Sequence, residues 1–130
     1  MKYLIDTDWV IDHIQGDSTA TALIASLTPD GIAISIITFL EIYEGIYTSA
    51  DPKQTERLVR VFIQTVPVLP LSRTVAKRTA LVRSELRRKG RSVRQRAFDI
   101  VIAATALTHR LTLVTRNTAD YRAIDGLNLY

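Results

Sequence analysis

Short apolar runs alternate along this chain with segments whose apolar residues recur at helical spacing. The apolar runs occupy residues 2–5, 32–36, 66–71, 111–115 and 127–130, and each is short enough to be a buried strand. The helical segments begin at or near Asp8, Asp17, Thr38, Asp51, Ser72 and Phe98. Because strands that alternate with helices favour right-handed crossovers, we predict a three-layer α/β/α fold with a mostly parallel five-stranded sheet.

The composition limits the class of protein further. The chain has 130 residues, of which 47% are hydrophobic and none is cysteine. This length fits a single domain, residues 1–130, with a real core, and the absence of cysteine excludes thiol nucleophiles and cysteine-based zinc sites. Asp6 comes too early for a signal peptide, and no apolar run approaches the roughly 20 residues that cross a bilayer. We expect a cytoplasmic protein that does not bind a membrane.

Positive charge is concentrated in one segment. Residues 73–96 contain ten Lys or Arg against one acid, Glu85, which leaves the rest of the chain with a net charge of −5 out of a total of +4. A basic segment in an otherwise acidic chain is typical of a protein that binds a polyanion with one part and a cation with the other. A solvated helix with a basic face would give the same pattern.

Four carboxylates fall where a parallel sheet usually binds its ligands, beyond the carboxyl ends of the strands. Asp6 follows the first strand, and Glu41 lies one turn into the helix after the second. Asp99 opens the most apolar helix, and Asp120 follows the fourth strand together with Thr115 and Asn117. We predict that these positions converge at one edge of the sheet.

Each carboxylate also has a structural interpretation. Asp6 and Asp99 precede or open helices, where aspartate commonly accepts hydrogen bonds from the backbone N–H groups. Glu41 is harder to explain in this way, because its apolar neighbours predict a largely buried helix and no Lys or Arg nearby can pair with it. The two histidines, His13 and His109, are isolated and are expected on helix surfaces.

Clustered carboxylates repel one another unless a cation neutralises them. Ligands that are all oxygen atoms select hard ions such as Mg²⁺ or Mn²⁺, and such ions commonly serve phosphate chemistry. The acidic site and the basic segment then support one hypothesis, in which the metal site cleaves a nucleic-acid backbone that the basic residues hold. The candidate RNA-binding residues are Arg87, Arg88, Lys89, Arg91, Arg94 and Arg96.

Four blocks of the sequence resemble PIN domains. They are LIDTD at residues 4–8, ITFLEIYEGI at 37–46, FDIVIAA at 98–104 and VTRNTADY at 114–121. Their order and spacing are most similar to the VapC toxins of bacterial toxin–antitoxin pairs, and the resemblance covers essentially the whole chain. It implies a five-stranded parallel sheet, Mg²⁺- or Mn²⁺-dependent endoribonuclease activity, a homodimer and neutralisation by a VapB-like antitoxin.

The resemblance also implies roles for individual residues. Asp6, Glu41 and Asp99 match the metal-binding acids of the family, and Thr7 and Thr38 match small hydroxyl residues beside them. Two positions depart from the pattern. Asp8 replaces the usual asparagine, and Asn117 stands where the family often has a further acid, so Asp120 becomes the candidate fourth ligand. Asn117 is expected to orient Asp6 or a water, and Thr115 is a further supporting polar residue.

Two alternative functions remain open from the sequence. A PIN-like module that binds RNA or a partner with little or no cleavage would have the same fold. A haloacid-dehalogenase-like phosphatase would use Asp6 as nucleophile and Asp8 as general acid. That fold also needs a lysine and a downstream aspartate pair, and Asp99 has no adjacent acid.

Overall fold

Four parallel strands form the centre of the computed structural model, which describes residues 1–130. The strands are β1 (Tyr3–Ile5), β2 (Ile32–Ser35), β3 (Val68–Leu69) and β4 (Thr112–Val114). Their order across the sheet is β3-β2-β1-β4, and every neighbouring pair is parallel. The parallel α/β prediction is therefore confirmed, with the short third strand at an edge as its two prolines indicate.

Seven helices connect and flank the strands. They are α1 (Thr7–Ile14), α2 (Ser18–Leu27), α3 (Ile36–Tyr47), α4 (Pro52–Ile63), α5 (Arg73–Arg88), α6 (Ala97–His109) and the short α7 (Thr118–Tyr121). Local capping explains where several of them begin. The side chains of Asp17, Asp51 and Ser72 accept hydrogen bonds from backbone N–H groups in the first turns of α2, α4 and α5, which satisfies donors that have no partner within the helix.

The alternation of side chains along the strands divides the core into two clusters. Leu4 and Leu113 point into one cluster, which contains buried residues of α5 and α6. Ile5 and Val114 point into the other, which contains buried residues of α1 to α4. Because successive strand residues face opposite sides, each apolar run supplies both layers of helices.

The fifth strand predicted at residues 127–130 is wrong. This segment forms a single parallel bridge between Leu113 and Leu129. Only Leu113 exchanges hydrogen bonds with it, donating to the Asn128 carbonyl and accepting from the Tyr130 N–H. A continuous ladder needs such bonds at regular intervals along both chains. The second strand also ends one residue early, because Ser35 turns to cap α3.

The carboxyl ends of the three longer strands lie at one edge of the sheet. There β1 leads into Asp6, β2 leads into α3, and β4 leads into Thr115. The Asp6 N–H donates to the Val114 carbonyl at 2.9 Å, which fixes the ends of β1 and β4 side by side. None of the helices combines the length and the apolar character that a membrane-spanning helix requires.

Candidate active site

Asp6 occupies the centre of this edge, between β1 and α1. It is 7% exposed and adopts an extended conformation as the N-cap of α1. Its carboxylate accepts the Thr7 N–H at 2.8 Å and the Thr115 hydroxyl at 2.7 Å. Asp6 therefore performs the capping role considered from the sequence, and its second oxygen is held by a residue that follows another strand.

Glu41 is held on α3 by a chain of hydroxyl groups. Thr7 Oγ1 donates to Glu41 Oε1 at 2.6 Å and lies 3.0 Å from Thr38 Oγ1. Since the single Thr7 proton is used for Glu41, Thr38 must donate to Thr7. Ser35 in turn donates to Thr38 at 3.3 Å. The three hydroxyl groups thus all donate toward one half-buried carboxylate.

Asp99 lies in the first turn of α6 and does not cap it. Its carboxylate is half-buried, and burial raises its pKa, while Tyr121 and the Arg96 guanidinium oppose that rise. The Tyr121 hydroxyl is near enough to Asp99 to interact electrostatically, but its oxygen is fully buried and has no partner within hydrogen-bond geometry. Two Arg96 nitrogens are buried and unpaired in the same way.

The three acids influence one another. Burial raises the pKa of Asp6 and of Glu41, partly against the hydrogen bonds from Thr115 and Thr7, and the negative charges of nearby carboxylates raise both pKa values further. Asp8 adds to the repulsion felt by Asp6, Glu41 and Asp99. The unusual second aspartate in the LIDTD block therefore contributes negative charge to the site.

Asp120 and Asn117 lie further out. Asp120 is exposed, and its charge is among the causes that raise the pKa of Asp99. Asn117 is also exposed, and the Asp6 carboxylate accepts from Thr7 and Thr115 rather than from the Asn117 side chain, so a role for Asn117 in orienting a water stays a prediction. Thr115 orients Asp6, and only the backbone N–H of Asn117 takes part, donating to Thr115 Oγ1 at 3.1 Å. The reason is local, because Thr115 directly follows β4 and is buried, whereas Asn117 is exposed.

The donor set fits a hard divalent cation in its chemistry. All nearby ligand groups are oxygen atoms, and the carboxylates raise one another's pKa values as uncompensated charges do. No group of three or more acids or histidines is drawn together into a ready-made metal cluster. Asp6 and Glu41 are instead held separately, by Thr115 and Thr7.

The predicted RNA-binding residues divide into two groups. Arg87, Arg88, Arg91 and Arg94 are exposed at the end of α5 and in the following turn. Lys89 is engaged within the protein, bonding to Asp125 and to the Ala123 carbonyl at 2.7 Å each. Arg96 is half-buried beside Asp99.

Sequence reasoning missed several residues at this edge. Ser35 begins the hydroxyl chain, and its position as the last residue of a strand before a helix was the available signal. Tyr121 directly follows Asp120 in the last block, which places it near the site. Arg116 packs on Trp9 and pairs with Asp12, although the sequence pattern indicates only an ordinary exposed helix residue at Asp12.

Known proteins share both this sequence pattern and this fold. The PIN domain family model matches residues 3–127. The tRNA(fMet)-specific endonuclease VapC of Salmonella typhimurium is 30% identical over 129 residues, covering 99% of this chain and 96% of the relative. The protein of that name from Shigella flexneri is 29% identical over 127 residues, covering 98% and 95%.

Solved structures agree with these relatives. DNA-bound VapBC from Salmonella typhimurium aligns with a TM-score of 0.89 at 29% identity, covering 100% of this chain and 97% of that one. VapBC2 from Rickettsia felis, bound to a promoter DNA fragment, aligns with a TM-score of 0.88 at 25% identity, covering 100% and 98%. The resemblance inferred from the four sequence blocks is therefore confirmed, and this chain belongs to the PIN domain family, among its VapC-like members.

Proposed function

We propose that this protein is a Mg²⁺- or Mn²⁺-dependent endoribonuclease and the toxin of a VapBC-type pair. The observation that carries the proposal is the set of Asp6, Glu41 and Asp99. They come from three separate elements and lie at one edge of the sheet, and burial first and then the negative charges of neighbouring carboxylates raise their pKa values. Perturbed acids grouped in this way are typical of active sites.

Asp6, Glu41 and Asp99 would hold the cation, and Asp120 would complete or adjust the ligand set from the exposed side. A divalent cation held there would supply neutralisation of the carboxylates, polarisation of the phosphodiester and a lower pKa for the attacking water. Asp8 adds negative charge that strengthens cation binding. Family membership over residues 3–127 argues against the phosphatase alternative.

The surrounding residues orient the acids. Thr115 and the Thr7 N–H hold the two oxygens of Asp6, while the hydroxyl chain from Ser35 through Thr38 and Thr7 holds Glu41. Loss of a hydrogen bond that fixes the orientation of a metal ligand commonly lowers metal affinity or activity by about 10–100-fold. The protein thus keeps two acids positioned before a cation or substrate arrives.

The proposed partners are an RNA substrate, a VapB-like antitoxin and a second copy of this chain in a homodimer. The antitoxin is supported by the VapBC complexes among the structural relatives. It is also supported by an apolar groove of about 230 Å³ between α1, α3 and α4, which includes Ile14, Ile42 and the exposed Leu58. Open apolar surface of this kind is typical of protein interfaces. The proposed site of action is the cytoplasm, where cellular RNA is available as a substrate.

Cleavage of total cellular RNA by the purified protein tests this function. We expect cleavage with Mg²⁺ or Mn²⁺, its loss in EDTA, and a decrease of about 100-fold or more in Asp6→Asn, Glu41→Gln and Asp99→Asn. Asp30→Asn is the matched control, because Asp30 is exposed in the turn before β2. Mapping of the cut ends identifies the target.

Undiminished cleavage by Asp6→Asn would overturn the assignment of the site. Binding of RNA without cleavage by the wild-type protein would instead support the alternative of a PIN-like binding module.

A further inference from the structure

Arg116 stands beside the carboxylate site in a fixed position. It directly follows Thr115, whose hydroxyl holds Asp6. The guanidinium carbon lies 3.9 Å from the centre of the Trp9 ring, and the guanidinium pairs with the Asp12 carboxylate. Trp9 and Asp12 both lie on α1, the helix that Asp6 caps. The loop after β4 and the first helix thus meet through this stacked ion pair.

The geometry leaves part of the guanidinium available. Its bond to Asp12 uses one terminal nitrogen, Nη1, while an arginine has five N–H donors in a rigid plane. The side chain is 38% exposed. An exposed ion pair contributes little to stability because water screens it, so Asp12 can be exchanged for another anion. Stacking on Trp9 fixes the plane of the guanidinium, which favours bidentate binding of phosphate.

We propose that Arg116 binds a backbone phosphate of the RNA at the rim of the carboxylate site, exchanging Asp12 for that phosphate while it stays stacked on Trp9. The inference rests on the proposed ribonuclease function and adds a substrate-binding residue to it. Asp6, Asp8, Glu41 and Asp99 are close enough for their negative charges to act on one another, and they would repel an RNA backbone that approaches the proposed cleavage site. The positively charged guanidinium of Arg116, fixed at the rim of the site, offsets the repulsion between these carboxylates and the incoming RNA.

Two substitutions distinguish phosphate binding from a purely structural clamp. Arg116→Met and Asp12→Asn both break the ion pair, so a clamp predicts changes in the same direction. Phosphate binding predicts opposite changes. We expect Arg116→Met to weaken RNA binding about tenfold and to reduce the slope of log affinity against log salt concentration by about 0.7, the value for one phosphate of a single strand. We expect Asp12→Asn to tighten binding several-fold, because the competing carboxylate is gone.

The measurement uses the full chain carrying Glu41→Gln to prevent cleavage, and a fluorescein-labelled single-stranded oligoribonucleotide of mixed sequence at several salt concentrations. Arg60→Met and Glu56→Gln are the matched controls, because Arg60 and Glu56 form a comparable surface ion pair within α4. Both controls should leave RNA affinity unchanged. Arg116→Lys, which keeps the charge but loses the planar fork, should fall between wild type and Arg116→Met.

Trp9 supplies an independent signal, since it is the only tryptophan in the chain. RNA that engages the guanidinium above its ring should change Trp9 fluorescence, and Arg116→Met should abolish that change. Thermal unfolding of each variant shows whether it is folded.

Three results would overturn the inference. The first is a loss of both affinity and stability in Arg116→Met and Asp12→Asn alike, which indicates a clamp. The second is unchanged RNA binding in Arg116→Met with loss of binding to a co-expressed antitoxin. The third is a wild-type protein that neither binds nor cuts RNA, and only that result also removes the proposed function.

Discussion

At the scale of single residues, Thr7 makes hydrogen bonds to three residues of the site, Asp6, Glu41 and Thr38. It is buried, its N–H bonds to Asp6, its hydroxyl donates to Glu41, and its oxygen accepts from Thr38. Thr7 therefore links Asp6, which follows the first strand, to Glu41 on the third helix. Few side chains other than a small β-branched alcohol fill this space and also donate a proton.

Replacing Thr7 by valine should weaken metal-dependent cleavage. The change preserves shape but leaves Glu41 without its donor and Thr38 without its acceptor. We expect the Mg²⁺ concentration for half-maximal cleavage to rise about 10–100-fold, as is usual when a group that orients a metal ligand is removed. Metal titration of the cleavage rate measures this. Thr105→Val is the control, because Thr105 is equally buried but donates only to the Val101 carbonyl. An unchanged metal requirement in Thr7→Val would contradict the role of the hydroxyl chain.

At the scale of elements, the basic segment is less uniform than its sequence indicates. Arg87, Arg91 and Arg94 are exposed on α5 and in the turn that follows. Lys89, in the middle of the same run, bonds to the Ala123 carbonyl and to Asp125, 36 residues away. A run of like charges therefore contains both surface cations and a cation that anchors the C-terminal part of the chain.

Charge reversal should separate these two kinds of residue. Arg87→Glu, Arg91→Glu and Arg94→Glu should each weaken RNA binding and flatten its salt dependence, by about 0.7 in the logarithmic slope for each phosphate of a single strand that is no longer neutralised. Lys89→Met should lower the melting temperature slightly and leave the slope close to that of the wild type. Binding of labelled RNA at several salt concentrations, together with thermal unfolding, provides both quantities. If no arginine variant changes the slope, the segment has another role, such as binding the antitoxin.

At the scale of the whole molecule, the acids of the proposed active site reduce the folding stability of the protein at neutral pH. Burial raises the pKa of Asp6, Glu41 and Asp99 above their ordinary values, so between the ordinary and the raised pKa the folded protein binds more protons than the unfolded chain. The contribution of these groups to the free energy of unfolding is therefore fully present below their ordinary pKa values. It is lost as the pH rises through the raised pKa values.

The comparison of Asp6→Asn with wild type, without divalent ions, isolates this effect. We expect equal melting temperatures below pH 4 and an advantage for the variant of a few degrees at neutral pH, corresponding to about 1 kcal/mol. Asparagine removes the charge, accepts the Thr7 N–H through its carbonyl oxygen, and can keep the contact with Thr115 by donating its amide N–H to that hydroxyl. Saturating Mg²⁺ should reverse the order at neutral pH, because ligand binding stabilises only the protein that retains the site. A variant that is less stable at every pH would show that the Asp6 charge stabilises the fold.

Much of the architecture was predictable because its causes are local. The capping side chains of Asp17, Asp51 and Ser72 act within three residues of their own positions, and the alternation of strands with helices led to the parallel sheet. The fifth strand predicted at residues 127–130 was wrong, because the apolar pattern of this segment does not specify how many hydrogen bonds it can form with the edge of β4. Only one bridge forms there.

The sequence by itself determined that acids from several elements lie at the carboxyl edge of a parallel sheet, since strand direction and chain order are enough to place them there. Only the tertiary structure decided which side chains hold them. The bond from Thr115 to Asp6 spans 109 residues, that from Thr7 to Glu41 spans 34, and the pair of Arg116 and Asp12 spans 104. Such bonds form only when strand register and helix packing bring two atoms within about 3 Å, and the spacing of residues along a chain does not specify distances that fine.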